Sequence, residues 1–303
     1  MNQIKDVGFL GLGQMGSSIA ERLLNQSIRL HVFDPSPQAV KHFSDGGAVI
    51  HSSPLSVANA ASVVFACLPS QEISIEVALG HDGVIHGDKL EIYTEMSTIG
   101  SKTINQIAEQ LANRGIATVD SPITGGPPVA RAGNLTLLVA GDKQSLKTIH
   151  PLLAMMGKNI YTLGEKPGMG QMMKIVNNLI MAANVVVASE GLSMGTKAGL
   201  DPGVMLTILN NGTGQSFAAN EIISRGVYGN FDYGAALSIL DKDVTLGMNE
   251  ADALGLIMPV IDAAREQWQS AAQAGMGKED FTSILQYVEK NNATIVRASN
   301  SQT

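Results

Sequence analysis

Short apolar runs rich in β-branched residues alternate with stretches of helical spacing through the first half of the chain. Strand candidates are residues 7–10, 30–33, 63–68, 91–95, 116–119 and 135–139, and helical spacing marks 14–25, 37–45 and 102–113. That alternation predicts βαβ units and a mostly parallel sheet with right-handed crossovers. Past residue 164 the strand pattern stops. Gly164-Glu165-Lys166-Pro167-Gly168 reads as a turn, and the chain beyond it reads as helix almost to the end. The terminal SNSQT, 299–303, reads as disordered.

One helical stretch stands apart. Over residues 172–198 the only charges are Lys174, Glu190 and Lys197, so no broad polar face exists. A helix of that length spans about 40 Å at about 1.5 Å per residue, more than one small domain covers. Apolar on all sides, it predicts burial on all sides. The expectation is a helix running between two domains and covered by a second subunit, giving a homodimer or homotetramer. The alternative is a central helix in a monomeric bundle.

Composition narrows the class. The 303 residues suit two cores better than one, since single cores stop growing near ~250–300 residues. With 45% apolar and 16% charged residues the chain has enough to bury, which excludes disorder. Twenty Lys and Arg against 27 Asp and Glu, a net charge of -7, argue against nucleic acid or an anionic membrane as partner. The lone Cys67 excludes a disulfide framework and a cysteine zinc site. The six histidines include no i,i+4 pair, so no metal site is expected. The apolar start at 7–13 is too short for a signal segment, and the most apolar stretch, 179–188, is about half the ~20 residues of a bilayer span. These readings predict a cytoplasmic protein without a membrane segment.

Gly11-Leu12-Gly13-Gln14-Met15-Gly16 is G-x-G-x-x-G, following a strand candidate and opening a helix candidate. In that context Gly11 permits the tight turn, Gly13 lets backbone approach a pyrophosphate, and Gly16 lets helix and strand pack closely. The helix N-terminus offers free N–H groups to phosphate. A second strand ends at Asp34, 18 residues after Gly16, where a carboxylate can accept hydrogen bonds from ribose hydroxyls. Asp34 would repel a 2′-phosphate and Pro35-Ser36 supplies no arginine, so NAD is favoured over NADP. Asp34 could equally cap the next helix. Pro69 and Thr98 come after later strands, at the end that faces the crevice of an open α/β sheet, although each could simply punctuate a strand or cap a helix.

Two further segments carry candidate chemistry. In Asp120-Ser121-Pro122-Ile123-Thr124-Gly125-Gly126, a hydroxyl followed by two glycines offers consecutive donors to a carboxylate. Downstream, Lys174 begins the long helix, and Asn177 and Asn178 lie at i+3 and i+4 on its side. A cation near a helix N-terminus is electrostatically misplaced, and burial also lowers a lysine pKa, which suits a general base. A solvated lysine starting a helix is the plain alternative.

Together GLGQMGSSIAERLL, DSPITGGPPVARAGNLTLLVAG, GMGQMMKIVNNLI, LDKDVTLGMNEA and GMGKEDFTSIL resemble the β-hydroxyacid dehydrogenase family. That family holds 3-hydroxyisobutyrate dehydrogenases, tartronate semialdehyde reductases and the larger 6-phosphogluconate dehydrogenases. The resemblance runs in order from about residue 4 to 290. It implies a Rossmann-type doubly wound parallel sheet at 1–164 and an all-α domain at 165–303, with substrate in the cleft between. It also implies an NAD(P)-dependent oxidoreductase interconverting a small β-hydroxy acid and its semialdehyde, of the 3-hydroxyisobutyrate or 2-hydroxy-3-oxopropionate type. On the resemblance Lys174 is the acid/base, Thr124, Gly125, Gly126 and Asn178 hold substrate, and Leu68, Pro69, Thr98 and Lys242 approach the cofactor.

The chain departs from that pattern in places. Threonine stands at 124 where serine is usual, Ile73 replaces a polar cofactor contact, and Phe217 and Phe231 fall in a region of looser similarity. The chain is too short for a full 6-phosphogluconate enzyme. No tyrosine has a lysine four residues on, against a short-chain dehydrogenase. The rivals are a dinucleotide-binding scaffold without turnover, or a family enzyme acting on a sugar acid or succinic semialdehyde.

Overall fold

The computed structural model describes residues 4–24 and 26–299. It divides into two compact units, Met1–Lys174 and Ile175–Thr303. In the first, β1 (Asp6–Leu10), β2 (Arg29–Phe33), β3 (Val49–Ile50), β4 (Val63–Ala66), β5 (Ile92–Glu95) and β6 (Ala117–Asp120) form a parallel sheet in the order β3-β2-β1-β4-β5-β6. β7 (Ile123–Thr124) and β8 (Leu135–Ala140) continue it antiparallel, and β9 (Gly157–Gly164) pairs parallel with β8. Among the described residues this makes one mixed sheet of nine strands, mostly parallel.

Helices cover both faces. They are α1 (Gln14–Ala20), α2 (Pro37–Asp45), α3 (Pro54–Ala58), α4 (Gln71–Leu79), α5 (Gly100–Ala112), α6 (Pro127–Arg131) and α7 (Lys143–Met156). The reason is visible in β4, Val-Val-Phe-Ala, buried at every position. A central parallel strand must be apolar on both sides, and alternate side chains feed opposite cores. Val63 and Phe65 join Phe9, Ile19 of α1, Phe43 of α2 and Ile149 of α7 on one face. Val64 and Ala66 join Val57 of α3, Val77 of α4 and Ile104 of α5 on the other. Short polar side chains start the helices: Ser36, Ser53, Ser70 and Asp142 each accept a backbone N–H at an N-cap.

The helix α8 (Met169–Lys197) starts three residues before the expected 172 and ends at Lys197. It contains the division between the units. The second unit adds α9 (Pro202–Asn211), a π-turn at Ala218–Ile223, α10 (Ser224–Val227), α11 (Leu237–Ala253), α12 (Pro259–Gln273) and α13 (Ile284–Asn292). Its core gathers around the fully buried Trp268, whose indole N–H donates to the Ala182 carbonyl at 3.3 Å. α11 approaches α8 closely because position 247 is glycine: a Cβ there would meet Leu179 Cδ2 at 2.7 Å.

Two expectations change, while the expected cover of α8 by a second subunit is not tested by one chain, in which Met169, Met173, Val176, Ile180, Val187 and Met194 are 39–75% exposed. Their spacing puts them in one stripe at about 3.6 residues per turn. By length and composition α8 also reaches what a membrane crossing needs, with 44% of that stretch buried inside the protein. The apolar run 179–188 is therefore only part of the stretch that passes on composition. Finally, Ser299 is not loose: its N–H and hydroxyl both donate to Asp201 Oδ2, at 3.1 and 2.7 Å. The rest of the SNSQT tail lies outside the described residues.

Candidate active site

The sheet reverses its winding at β1, which has β2 on one side and β4 on the other. Ligand crevices open beyond the strand C-termini at such a point. The glycine turn sits there. Gly11 has φ +86°, a region that favours glycine, and a Cβ on it would lie 2.3 Å from the Cys67 carbonyl oxygen. A Cβ on Gly16 would lie 2.0 Å from the Gly11 carbonyl oxygen, so α1 can pack only against a bare backbone. Gly13 is different. It is exposed, and a Cβ there would meet nothing within 4 Å. The space over Gly13 is what an approaching pyrophosphate requires, so this turn fits a dinucleotide. Gly13 is also the N-cap of α1 without a side-chain cap, which leaves the dipole end to a ligand.

The other cofactor-side candidates have distinct surroundings. Asp34 accepts from the Leu12 N–H at 2.7 Å and from the Ser36 N–H at 2.8 Å. Leu12 therefore packs its side chain in the core and gives its N–H to Asp34. Gln14 and Pro69 are exposed, while Met15, Leu68 and Thr98 are half-buried. Under Leu68 lies a polar group that no sequence motif marks. The Leu68 N–H donates to Ser97 Oγ at 2.6 Å, and the Ser97 hydroxyl donates to the fully buried Glu95. Tyr93 donates its hydroxyl to Glu95 at 2.8 Å. Burial holds the Glu95 carboxyl above its usual range. The same burial, with Glu95 nearby, pushes the Cys67 thiol up to about 12, which leaves it inert as a nucleophile at neutral pH.

The Thr124 segment is shaped by glycine and proline. Gly125 has φ +121°, and Gly126 is the extended N-cap of α6, with two prolines next in the chain. Because Pro127 and Pro128 carry no N–H, the donors at this turn come from Thr124, Gly125, Gly126 and Val129. Upstream, Asp120 is fully buried, and its Oδ2 accepts the Gln171 N–H at 2.8 Å in the first turns of α8. Burial pushes Asp120 up to about 7, against backbone hydrogen bonds from Gln171, Gly168 and Gly170. Its Oδ1 has no hydrogen-bond partner.

Lys174 is half-buried and lies four residues before Asn178 on α8, so both share one side of that helix. In the second unit Asn178 Nδ2 donates to Asp243 Oδ2 at 2.7 Å, and its Oδ1 accepts from Asn177 at 3.1 Å. A carboxylate only accepts, so Asp243 fixes which way the Asn178 amide points. Lys242 pairs with Asp243 Oδ1 at 2.8 Å. Of the two phenylalanines in the region of looser similarity, Phe217 is 62% exposed and Phe231 lies under the Arg297 guanidinium at 5.0 Å. Asp243 and Gln171 lie within the family motifs, yet the sequence assigns them no role. No spacing rule singles them out, because their partners are set by tertiary contact.

Comparisons with known proteins show the family and the fold. Residues 6–164 match the family described as the NAD binding domain of 6-phosphogluconate dehydrogenase. Residues 168–288 match the one described as NAD-binding of NADP-dependent 3-hydroxyisobutyrate dehydrogenase. A 3-hydroxyisobutyrate dehydrogenase of Pseudomonas aeruginosa is 34% identical over 295 residues, 92% of this chain and 97% of the relative. A 2-(hydroxymethyl)glutarate dehydrogenase of Eubacterium barkeri is 30% identical, covering 94% of this chain and 95% of its own. The crystal structure of a 3-hydroxyisobutyrate dehydrogenase from Salmonella typhimurium superposes with a TM-score of 0.83 at 26% identity, over 93% of this chain and 99% of that one.

Proposed function

Because the chain belongs to the β-hydroxyacid dehydrogenase family, we propose that it oxidises a small β-hydroxy acid of the 3-hydroxyisobutyrate type to its semialdehyde, reversibly, with NAD as acceptor. The observation that carries this reading is the placement of Lys174 and Asn178 four residues apart on one side of α8, the amide being turned by Asp243.

Thr124, Gly125 and Gly126 take the substrate carboxylate with a hydroxyl and backbone donors. Asn178 uses its remaining N–H to orient the substrate hydroxyl. The neutral Lys174 amine removes that hydroxyl proton during oxidation and returns it during reduction. When bound, the nicotinamide supplies the hydride acceptor. Gly11, Gly13, Gln14, Met15, Gly16, Leu68, Pro69, Thr98 and Lys242 would hold the dinucleotide, with Leu12 tying the turn to Asp34. The Asp34 carboxylate, with no arginine at 35 or 36, supports NAD over NADP. The exposed apolar stripe of α8 supports a second copy of the chain as its cover, in a homodimer or homotetramer.

The test is oxidation of 3-hydroxyisobutyrate, glycerate, 3-hydroxypropionate, threonate and serine with NAD, monitored by nicotinamide absorbance. The highest kcat/KM is expected for 3-hydroxyisobutyrate. Turnover of none of the five contradicts the reading.

A further inference from the structure

Gln171 is fully buried and joins three parts of the first unit. Its Nε2 donates to the Ser97 carbonyl at 2.9 Å, and its Oε1 accepts from the N–H groups of Ile99 and Gly100, at 2.9 and 3.1 Å. Its own N–H is held by Asp120 at the end of β6. The amide fits one way only. Turned over, it would set N–H against two N–H donors and oxygen against oxygen. Ile99 is the N-cap of α5, with no side-chain cap of its own, and Gly100 is the first helical residue. Gln171 therefore supplies from a distance the cap that α5 lacks.

The loop so gripped, Ser97-Thr98-Ile99-Gly100, carries the cofactor-side Thr98. A second glutamine, Gln71 of α4, holds the same loop by donating to the Ile99 carbonyl and the Thr103 hydroxyl, each at 2.8 Å. Only Gln171 is on the helix that bears Lys174, three residues on, or about 4.5 Å along the axis.

We propose that Gln171 is a positioning residue for hydride transfer, holding the Thr98 loop in fixed register with the helix turn that presents Lys174. This rests on the roles given above to Lys174 and Thr98. Each side of the reaction is carried by a different segment, and Gln171 is a polar link between them. A displacement of about 1 Å between reacting groups costs on the order of a hundredfold in rate, whereas substrate and dinucleotide each keep their own contacts. The loss should therefore appear in kcat rather than in binding.

The experiment compares Gln171→Met, Gln171→Glu and Lys174→Ala with the wild type, using the best of the five acids above and NAD. Gln171→Met keeps the size and removes all three side-chain hydrogen bonds. It should lower kcat about 10- to 100-fold, with KM and dinucleotide Kd within about threefold of wild type, and enlarge the isotope effect of deuterium at the carbinol carbon. Gln171→Glu keeps the acceptor and loses the donor to Ser97. Its kcat relative to wild type should climb as pH falls, because a protonated carboxyl restores an O–H donor. Rates are counted per folded site, titrated with dinucleotide. Wild-type kcat in Gln171→Met beside an inactive Lys174→Ala overturns the positioning role alone. An active Lys174→Ala, or turnover of none of the five acids by the wild type, overturns the role together with the reading it rests on. A Gln171→Glu ratio that stays flat with pH also counts against it.

Discussion

The carboxylate of Asp34 accepts a 2.7 Å hydrogen bond from the backbone N–H of Leu12, so the residue that follows β2 also braces the glycine turn after β1. The two roles predict two effects. Asp34→Ser with Pro35→Arg removes a repulsive carboxylate and adds a fork donor, moving the kcat/KM ratio toward NADP. The same change should weaken both dinucleotides, since the Leu12 and Ser36 N–H groups lose their acceptor. Steady-state kinetics with each cofactor checks this. Equal use of NAD and NADP by the wild type would contradict the role given to Asp34.

Gly13 and Gly16 should respond differently to the same methyl group. Gly13→Ala meets open space, so its stability should match wild type within about 0.5 kcal/mol while dinucleotide affinity falls at least about tenfold. Gly16→Ala forces a Cβ onto the Gly11 carbonyl and should cost about 1–3 kcal/mol of stability. Thermal unfolding beside dinucleotide titration separates the two. Loss of stability in Gly13→Ala would mean that the turn is crowded there.

Asp120 predicts a pH dependence with a definite sign. Its folded pKa of about 7 lies above the ordinary 3.8, so the folded state holds the proton more tightly between those values. Its contribution to stability therefore falls as pH rises from about 4 to about 7, and is level above that. Asp120→Asn keeps an acceptor for the Gln171 N–H and cannot titrate. The Tm of the variant minus that of the wild type should increase across this window. A constant difference would show that Asp120 is ionised throughout.

The exposed stripe on α8 predicts that light scattering at micromolar concentration finds no monomer near 31.8 kDa. Ile180→Glu with Val187→Glu should shift the protein toward monomer by placing charge on that stripe. A monomeric wild type would leave those six apolar residues facing water.

How much of the fold is legible in the sequence depends on where the information lies. β1, β2, β4, β5, β6 and β8 overlap the apolar runs, because strands buried on both faces must be apolar throughout. β3 and β7 are two residues long, and β9 is largely exposed, so neither length nor apolar pattern marks them. α1 ends at Ala20, short of the expected 25, where bonds such as Arg22 N–H to the Ile19 carbonyl tighten the chain into turns. Asn25 itself lies outside the described residues. Gly11, Gly16, Asp34 and Lys174 stand out because their chemistry fixes both residue type and spacing. Gln171 does not, because its side-chain partners lie 71 to 74 residues away and no local rule points to them.

The central claim is that Lys174 is the acid/base, and kinetics of Lys174→Ala beside dinucleotide titration of the folded variant tests it most directly. The account predicts unchanged dinucleotide affinity with turnover lowered about 100- to 10,000-fold, as for loss of a general base. Lys174→Arg should rescue poorly, because a guanidinium stays protonated. Retention of more than about a tenth of wild-type turnover by Lys174→Ala would contradict the account, since that lies outside the loss a general base produces.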